Sequence, residues 1–501
     1  MSEQNLVQGF VNKFRDQHTI TVATGVTCAY LGDERNLREY LLADEVVKAL
    51  RSEGHVVHFL CFNDDLDGLT FRQLRVAVNK DPHLVAKFEP YCGKPICDIR
   101  APYDQDLSWS EHFANVFSER LQKLDCNPNV VSVAKLYDRG LYAPYIRQVL
   151  VQQDRIRDYL GKEFPDYHPE KLYWPVCPVC GYIDSTTVGH VSETHADVMC
   201  TRCLRSTSVS FEELRGKLNW KLDCAVRWSL FGVAAEPFSK AYLEPHAGSF
   251  FVAQGLSKTF FGGKDVSFIP YGTVSMPTSL GGKIMDCLPA DVVRSLFVRS
   301  PRADLEVSEE RIITEANKVE VLPDLKYADV VKQLLPIWML DPADLSGSQR
   351  ELMIKGISYA REFDHREIRP FLPNRSHIET IPLEILRLIN AVIQEIIILR
   401  RAIGDDYERF KDPAKASIQR LGDQRKQVTM HFRKIINQDQ GVPNSRFLFL
   451  LPMSYLMNLK SLIELYLQAN EPRMTHAVVQ TQIPLQPPLR VVSGERLAFE
   501  H

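Results

Sequence analysis

The sequence predicts an α/β core of parallel strands, interrupted by a metal-knuckle insert and followed by a helical C-terminal region. Three observations carry this. Residues 19–28 form an apolar, β-branched run, residues 36–54 have helical periodicity closing on Gly54, and Val56–Phe62 is a second apolar run. Strand, loop, helix, strand at this spacing is a βαβ unit, which requires a parallel sheet and a right-handed crossover. Midway along the chain, Cys177-Pro-Val-Cys180 and Cys200-Thr-Arg-Cys203 stand nineteen residues apart. From about residue 345 the pattern is helical, with amphipathic stretches at 380–402 and 408–437.

In a sheet of this kind ligands sit beyond the carboxyl ends of the strands, here Thr24–Tyr30 and the acidic tip Asn63–Asp67. Helices are expected around 110–125 and 140–160. The two C-x-x-C knuckles supply four thiolates at tetrahedral corners, a zinc pattern. Gly181 suits the tight turn of a knuckle. With Cys177, Cys180, Cys200 and Cys203 filling all four positions, no place remains for substrate or water, so the expected zinc is a structural staple for residues 175–205. Residues 218–300 read as short strands and Gly-rich loops, and the last thirty residues, with Pro484, Pro487 and Pro488, as extended chain. The expected domains are a first half-core at 1–165, the insert at 166–215, a second half-core at 216–310 and a mostly helical domain at 311–501.

A chain of 501 residues has room for roughly three domains. Of its eleven cysteines, the seven outside the knuckles, such as Cys28, Cys61 and Cys224, read as reduced thiols. The N-terminal residues lack the basic and apolar regions of a signal peptide, and no apolar run reaches membrane-spanning length, so a cytoplasmic chain with no membrane partner is expected. The net charge of −3 excludes nothing, but its distribution is informative. Residues 400–434 hold ten Lys/Arg against five Asp/Glu. Arg400, Arg401, Lys411, Lys415, Arg425, Lys426, Arg433 and Lys434 are therefore the candidate nucleic-acid contacts.

Several ordered motifs resemble the class I, archaeal-type lysyl-tRNA synthetases. Asn36-Leu-Arg-Glu39 matches that family's N-L-R-E, and Asp64-Asp65-Leu66-Asp67 its D-D-x-D. Ser110-Glu111-His112-Phe113 is similar to A-E-H-F, and Tyr137–Tyr142 to Y-x-x-G-x-Y. The stretch Lys217–Trp228 resembles K-L-x-W-R-V-D-W-P-x-R-W, and Glu236-Pro-Phe238 matches E-P-F. The resemblance covers about residues 15–300 and more weakly extends to 400. It implies a Rossmann-like class I synthetase core, a zinc-knuckle insert and an α-helical, anticodon-binding-like end. It also implies tRNA as partner, and ATP with Mg²⁺ for attack of a carboxylate on the α-phosphorus.

The loops that would serve ATP depart from the family in content but not in length. The family's A-S-G-I-S-P-S-G-P-I-H-I-G-N aligns on Ala23–Asn36, placing Asp33 at the histidine, Glu34 beside it and Arg35 at the glycine, ahead of Asn36. Cys28-Ala29-Tyr30 replaces P-S-G. The lysine-bearing K-M-S-S-S-K-G aligns on Ser275-Met276-Pro-Thr-Ser279-Leu280-Gly281, which has neither lysine. A carboxylate repels triphosphate, and one lost transition-state contact costs about 10²–10³ in rate. Arg35 and Arg38 are the cations nearest that place, and Glu34 reads as a surface charge. By resemblance the amino-acid site is better kept, with Thr24, Gly25 and Thr27 in the loop near the α-amino group. Trp220 and Tyr271 are its aromatic positions, Asp64 and Glu236 its carboxylates, and His246 lies in a facing loop.

Three readings follow. The first is a synthetase-like protein without normal lysine adenylation, repurposed to hold tRNA, aminoacyl-tRNA or an amino-acid-like ligand in a biosynthetic or regulatory role. The second is an active lysine–tRNA ligase or related amino-acid-activating ligase. The third is a scaffold for a protein partner.

Overall fold

A computed structural model describes residues 3–31, 34–438 and 444–470. Asp33 and the proline-bearing tail, on which two expectations fell, lie outside the described residues. The described residues fall into two compact units, one running to residue 372 with 444–452 and one of residues 373–438 with 453–470.

The first unit is built on a five-stranded parallel sheet. Strand β1 (Thr19–Val26) feeds helix α1 (Leu37–Ser52), which returns to β2 (Val56–Asn63), pairing Thr19 with Val56 through Val26 with Asn63. Five consecutive residues of β1 are buried, as a strand covered on both faces requires. Gly54, at φ +89°, ends α1 in the left-handed conformation that glycine adopts without strain. Helix α2 (Trp109–Gln122) opens with a capping box from Ser108 and Glu111, and β3 (Asn129–Ser132) adds beside β2. The expected helix at 140–160 is two helices, Ala143–Val151 and Gln153–Glu163.

The insert follows. Strands Thr186–Val191, His195–Cys200 and Arg205–Ser210 form an antiparallel sheet beside the knuckles. The chain then returns through helix α3 (Trp220–Phe231) to β4 (Val233–Ser239) and β5 (Ser267–Tyr271), giving sheet order β5-β4-β1-β2-β3. The order reverses between β1 and β4, so a crevice opens there at the carboxyl ends.

The expectation of strands and loops over 218–300 is corrected. Besides β4 and β5, that segment holds α3, the helices Ser249–Phe260 and Ala290–Val298, and the short helix α4 (Lys283–Cys287). In α3 residues 222–228 are all buried, so no polar face marks a 3.6-residue period. Its termini are still marked: the Asn219 side chain caps the start and Gly232, at φ +58°, ends it.

The second unit is helical over its described residues, with Leu383–Ile403, Tyr407–Gln419, Arg425–Ile435 and Met453–Asn470 as its main helices. The stretch expected as one element at 408–437 is broken at Gly422, which takes φ +54°. Among the described residues no helix is long and apolar enough to cross a membrane.

Candidate functional site

A cavity of about 350 Å³ lies at the carboxyl ends of β1, β2, β4 and β5. Gly25, Thr27, Asp64, Trp220, Glu236 and Tyr271, six of the eight residues expected there, line it. Thr24 is instead buried within the sheet, its hydroxyl pointing to the Leu60 carbonyl at 3.5 Å. His246 is exposed on its loop and is not among the lining residues.

The lining is acidic. Glu39, Asp64 and Glu236 face it, and among the described residues Arg227 is its one cation. That guanidinium is buried and already committed, with Nε 2.5 Å from Asp223 and a second bond to Asp64. Asp223 also accepts from the Tyr137 hydroxyl at 2.8 Å and the Tyr142 hydroxyl at 3.2 Å. Burial pushes the Glu39 carboxyl up to about 8, opposed by the Tyr271 hydroxyl donating at 2.8 Å. Burial likewise pushes Glu236 up to about 7, opposed by a bond from the Trp228 indole. Burial raises Asp64 while Arg227 opposes the rise. Tyr242 packs edge-on to Trp220, with ring centroids 5.6 Å apart. Once its carboxyls ionise, such a cavity stabilises an ammonium and repels phosphate.

Glu39 and Arg227 were not singled out from sequence. Glu39 sits in the first turn after the β1 loop, and Arg227 lies four residues after Asp223 on a helix, so both signals were present.

The two loops with rewritten content are fastened to each other. Glu34, expected at the surface, is 5% exposed. Its carboxylate accepts from the amides of Gly282 (3.1 Å) and Met285 (3.3 Å) at the start of α4, and pairs with Arg120 at 3.1 Å. At the other end of α4, the buried Lys355 ammonium donates to the carbonyls of Met285 and Leu288, each at 2.9 Å. Leu280, where the resemblance calls for a lysine, is buried. Ser275 pairs in a short ladder with Glu306; Met276 is half-buried and Ser279 exposed. In the first loop Cys28 and Ala29 are buried, the Ala29 carbonyl accepts from the Trp109 indole at 2.7 Å, and the Cys28 amide donates to Asn63 at 2.9 Å. Arg38 is no phosphate ligand here: its guanidinium donates to the carbonyls of Gly272, Ser300 and Ala303 at 2.8–3.1 Å. Arg35 and Asn36 are exposed, and Asn36 lines the cavity.

The four knuckle sulfurs all lie within 4.8 Å of one another, with Cys177–Cys203 and Cys180–Cys200 each at 3.6 Å. Tetrahedral zinc with bonds of about 2.3 Å needs sulfurs about 3.8 Å apart, so the set fits a metal ion. Gly181 follows the first knuckle at φ +75°; Leu204 follows the second at φ +56° and is 85% exposed. A branched side chain there is strained. Leu204→Gly is therefore expected to stabilise the insert by about 0.5–1 kcal/mol, read as a raised denaturant midpoint; an unchanged or lower midpoint refutes the strain.

Residues 4–286 match the model of the family described as tRNA synthetases class I (K). The chain belongs to that family. A lysine–tRNA ligase of Methanosarcina barkeri is 32% identical over 297 residues, 56% of this chain and 53% of the relative. A lysine–tRNA ligase of Archaeoglobus fulgidus is 29% identical over 297 residues, 56% of this chain and 57% of the relative. The matched segment thus spans about half the length of these relatives. The solved arginyl-tRNA synthetase of Plasmodium falciparum aligns over 93% of this chain and 82% of its own, at 11% identity and a TM-score of 0.32, too distant to fix any side-chain role. The class I (K) match covers the whole parallel sheet, the insert and the cavity, and ends within α4.

The basic candidates lie outside the match, in the second unit. Arg400 and Arg401 close the helix Leu383–Ile403, and Lys411 and Lys415 lie on Tyr407–Gln419, where Lys411 pairs with Glu408. Arg425 and Lys426 open Arg425–Ile435, and Arg433 and Lys434 close it.

Proposed function

We propose that this chain is a class I lysyl-tRNA synthetase-like protein that holds an amine-bearing amino acid, or the aminoacyl end of a tRNA, without activating it through ATP. The cavity carries this reading: among the described lining residues Arg227 is the one cation, and Asp64 and Asp223 already neutralise it, which leaves Glu39 and Glu236 facing the space. An ammonium is stabilised there and a triphosphate is not. The Glu34 clamp supports it further, because the loop that would have to close over pyrophosphate is tied at Gly282 and anchored by Leu280. Lysine is the amine that the family suggests. The knuckle cysteines hold a structural zinc in this reading, and the second unit's basic residues contact tRNA.

Binding should depend on pH in a definite direction. The Glu39 and Glu236 carboxyls are raised above their unfolded values of about 4.3. Their contribution to the empty fold is therefore present below about pH 4.3 and is lost as pH rises toward 7–8. Over the same window the ionised carboxylates that an ammonium needs appear. Lysine affinity and the lysine-induced rise in Tm should both grow from pH 6 to pH 8.5; calorimetry showing constant or falling affinity contradicts the acidic-pocket reading.

The tRNA half is tested by filter binding of the full, metal-loaded chain at increasing salt. The expected result is measurable affinity with a negative log–log salt slope, counting phosphate contacts. No binding at low salt removes tRNA as the partner. The relatives' names favour a second reading, an active lysine–tRNA ligase. ATP–pyrophosphate exchange separates the two.

A further inference from the structure

The three-stranded sheet of the insert leaves one edge open. Its strands run in the order Thr186–Val191, His195–Cys200, Arg205–Ser210, so the last pairs on one side only. The other edges of this sheet and of the parallel sheet are blunted in ways that discourage a further strand. At the edges of the parallel sheet, β5 carries Pro270 and β3 has four residues. Thr186–Val191 is interrupted by a register shift between Val188 and Val191. Arg205–Ser210 has none of these devices: it pairs with His195–Cys200 over six consecutive residues without a shift, and contains neither proline nor lysine.

In an antiparallel pair, alternate residues turn their backbone groups toward the partner strand. The Phe211 amide donates to the Thr194 carbonyl at 3.1 Å. Thr207 and Val209 therefore give their amides and carbonyls to His195–Cys200, and Ser206 and Ser208 direct theirs outward. No other strand receives them among the described residues. The Ser206 and Ser208 side chains are exposed, and Val209 is the buried residue of the strand. Donors and acceptors this accessible form a template for one more strand.

The charges at the two ends of this edge select the strand that fits. Arg205 at its start and Glu212 just past its end are both exposed, and neither has an ion-pair partner among the described residues. Antiparallel pairing about a two-fold axis sets the start of one strand beside the end of the other, so Arg205 of each chain lies alongside Glu212 of its mate. Parallel pairing in register would set like charges together. The outward residues also match, because Ser206 and Ser208 offer the same groups in both chains. We propose that the open edge is a self-association surface: a second copy of this chain adds its own Arg205–Ser210 strand antiparallel, turning two three-stranded sheets into one of six. An edge of six residues buries less than the roughly 1,600 Å² of a standard interface, so the dimer is reversible and concentration-dependent.

Sedimentation velocity on the full, metal-loaded, RNA-free chain, from low to high micromolar concentration, tests this. The average mass should rise reversibly toward that of two chains. Ser208→Pro removes an outward amide and no bond to His195–Cys200, so it should hold the mass at one chain while metal content and Tm stay as they were. Arg205→Glu should weaken association about tenfold or more, since both charge pairs then repel. Adding Glu212→Arg to that variant should restore the dimer, because the pairs are exchanged and not lost. A chain that stays monomeric at every concentration overturns the proposal. So does a dimer that persists in Ser208→Pro, or one that the Arg205 reversal leaves unweakened or the exchange leaves unrestored. If Ser208→Pro loses its metal, the two exposed charge variants decide alone.

Discussion

Replacing Arg227 with methionine is expected to lower stability by about 3–5 kcal/mol at pH 7, because it strands buried carboxylates without their counter-charge. Arg227 is 4% exposed and serves Asp223 and Asp64 together. Methionine keeps most of the volume, so the loss is electrostatic and not a cavity effect. Asp223 retains the hydroxyls of Tyr137 and Tyr142, whereas Asp64 loses the guanidinium that α3 presents to it. Without the arginine the Asp64 carboxyl, which burial already raises and Arg227 holds back, rises further. An acid raised on folding weakens the fold as pH climbs past its unfolded value, so the penalty shrinks on acidification. Urea unfolding at pH 7 and pH 5 checks this. A loss below about 1 kcal/mol at pH 7, or one that grows at pH 5, contradicts the assigned role.

Removing the metal should unfold the insert and spare the sheet. Three strands of six residues each bury few large side chains: Ala196, Val198 and Val209 are the buried apolar residues on them. These three join the main hydrophobic core, but so few apolar anchors do not hold three strands without a staple, and structural zinc supplies on the order of 10 kcal/mol in small domains. One zinc per chain is expected by elemental analysis. After chelation, amide hydrogen exchange should lose protection over Thr186–Ser210 while β1 and β2 stay protected. Protection retained throughout, or a preparation without metal, contradicts the staple.

The parallel core and the knuckles were legible because their signals are local. The alternation of β1, α1 and β2 and the cysteine spacing each complete within a few dozen residues. Helix α3 was not legible as a helix, since burial on all sides erases periodicity. Within the cavity, Gly25, Thr27, Asp64, Trp220, Glu236 and Tyr271 come together from segments up to 246 residues apart, and only the resemblance joined them in advance. The Glu34 clamp was illegible for a related reason. Its partners are 248 and 251 residues away, and an exposed-looking charge run gives no hint that one member turns inward onto a helix start. Arg38 reads as a free cation in sequence because its three acceptors are backbone carbonyls, which leave no mark on side-chain identity.

Lysine-dependent ATP–pyrophosphate exchange on the full, metal-loaded chain tests the central claim most directly, with lysine binding by calorimetry on the same preparation as proof of an intact pocket. The acidic cavity and the clamped loops predict lysine binding with no exchange above background. Exchange that requires lysine and ATP·Mg²⁺ would contradict the account and make this chain an active member of its family.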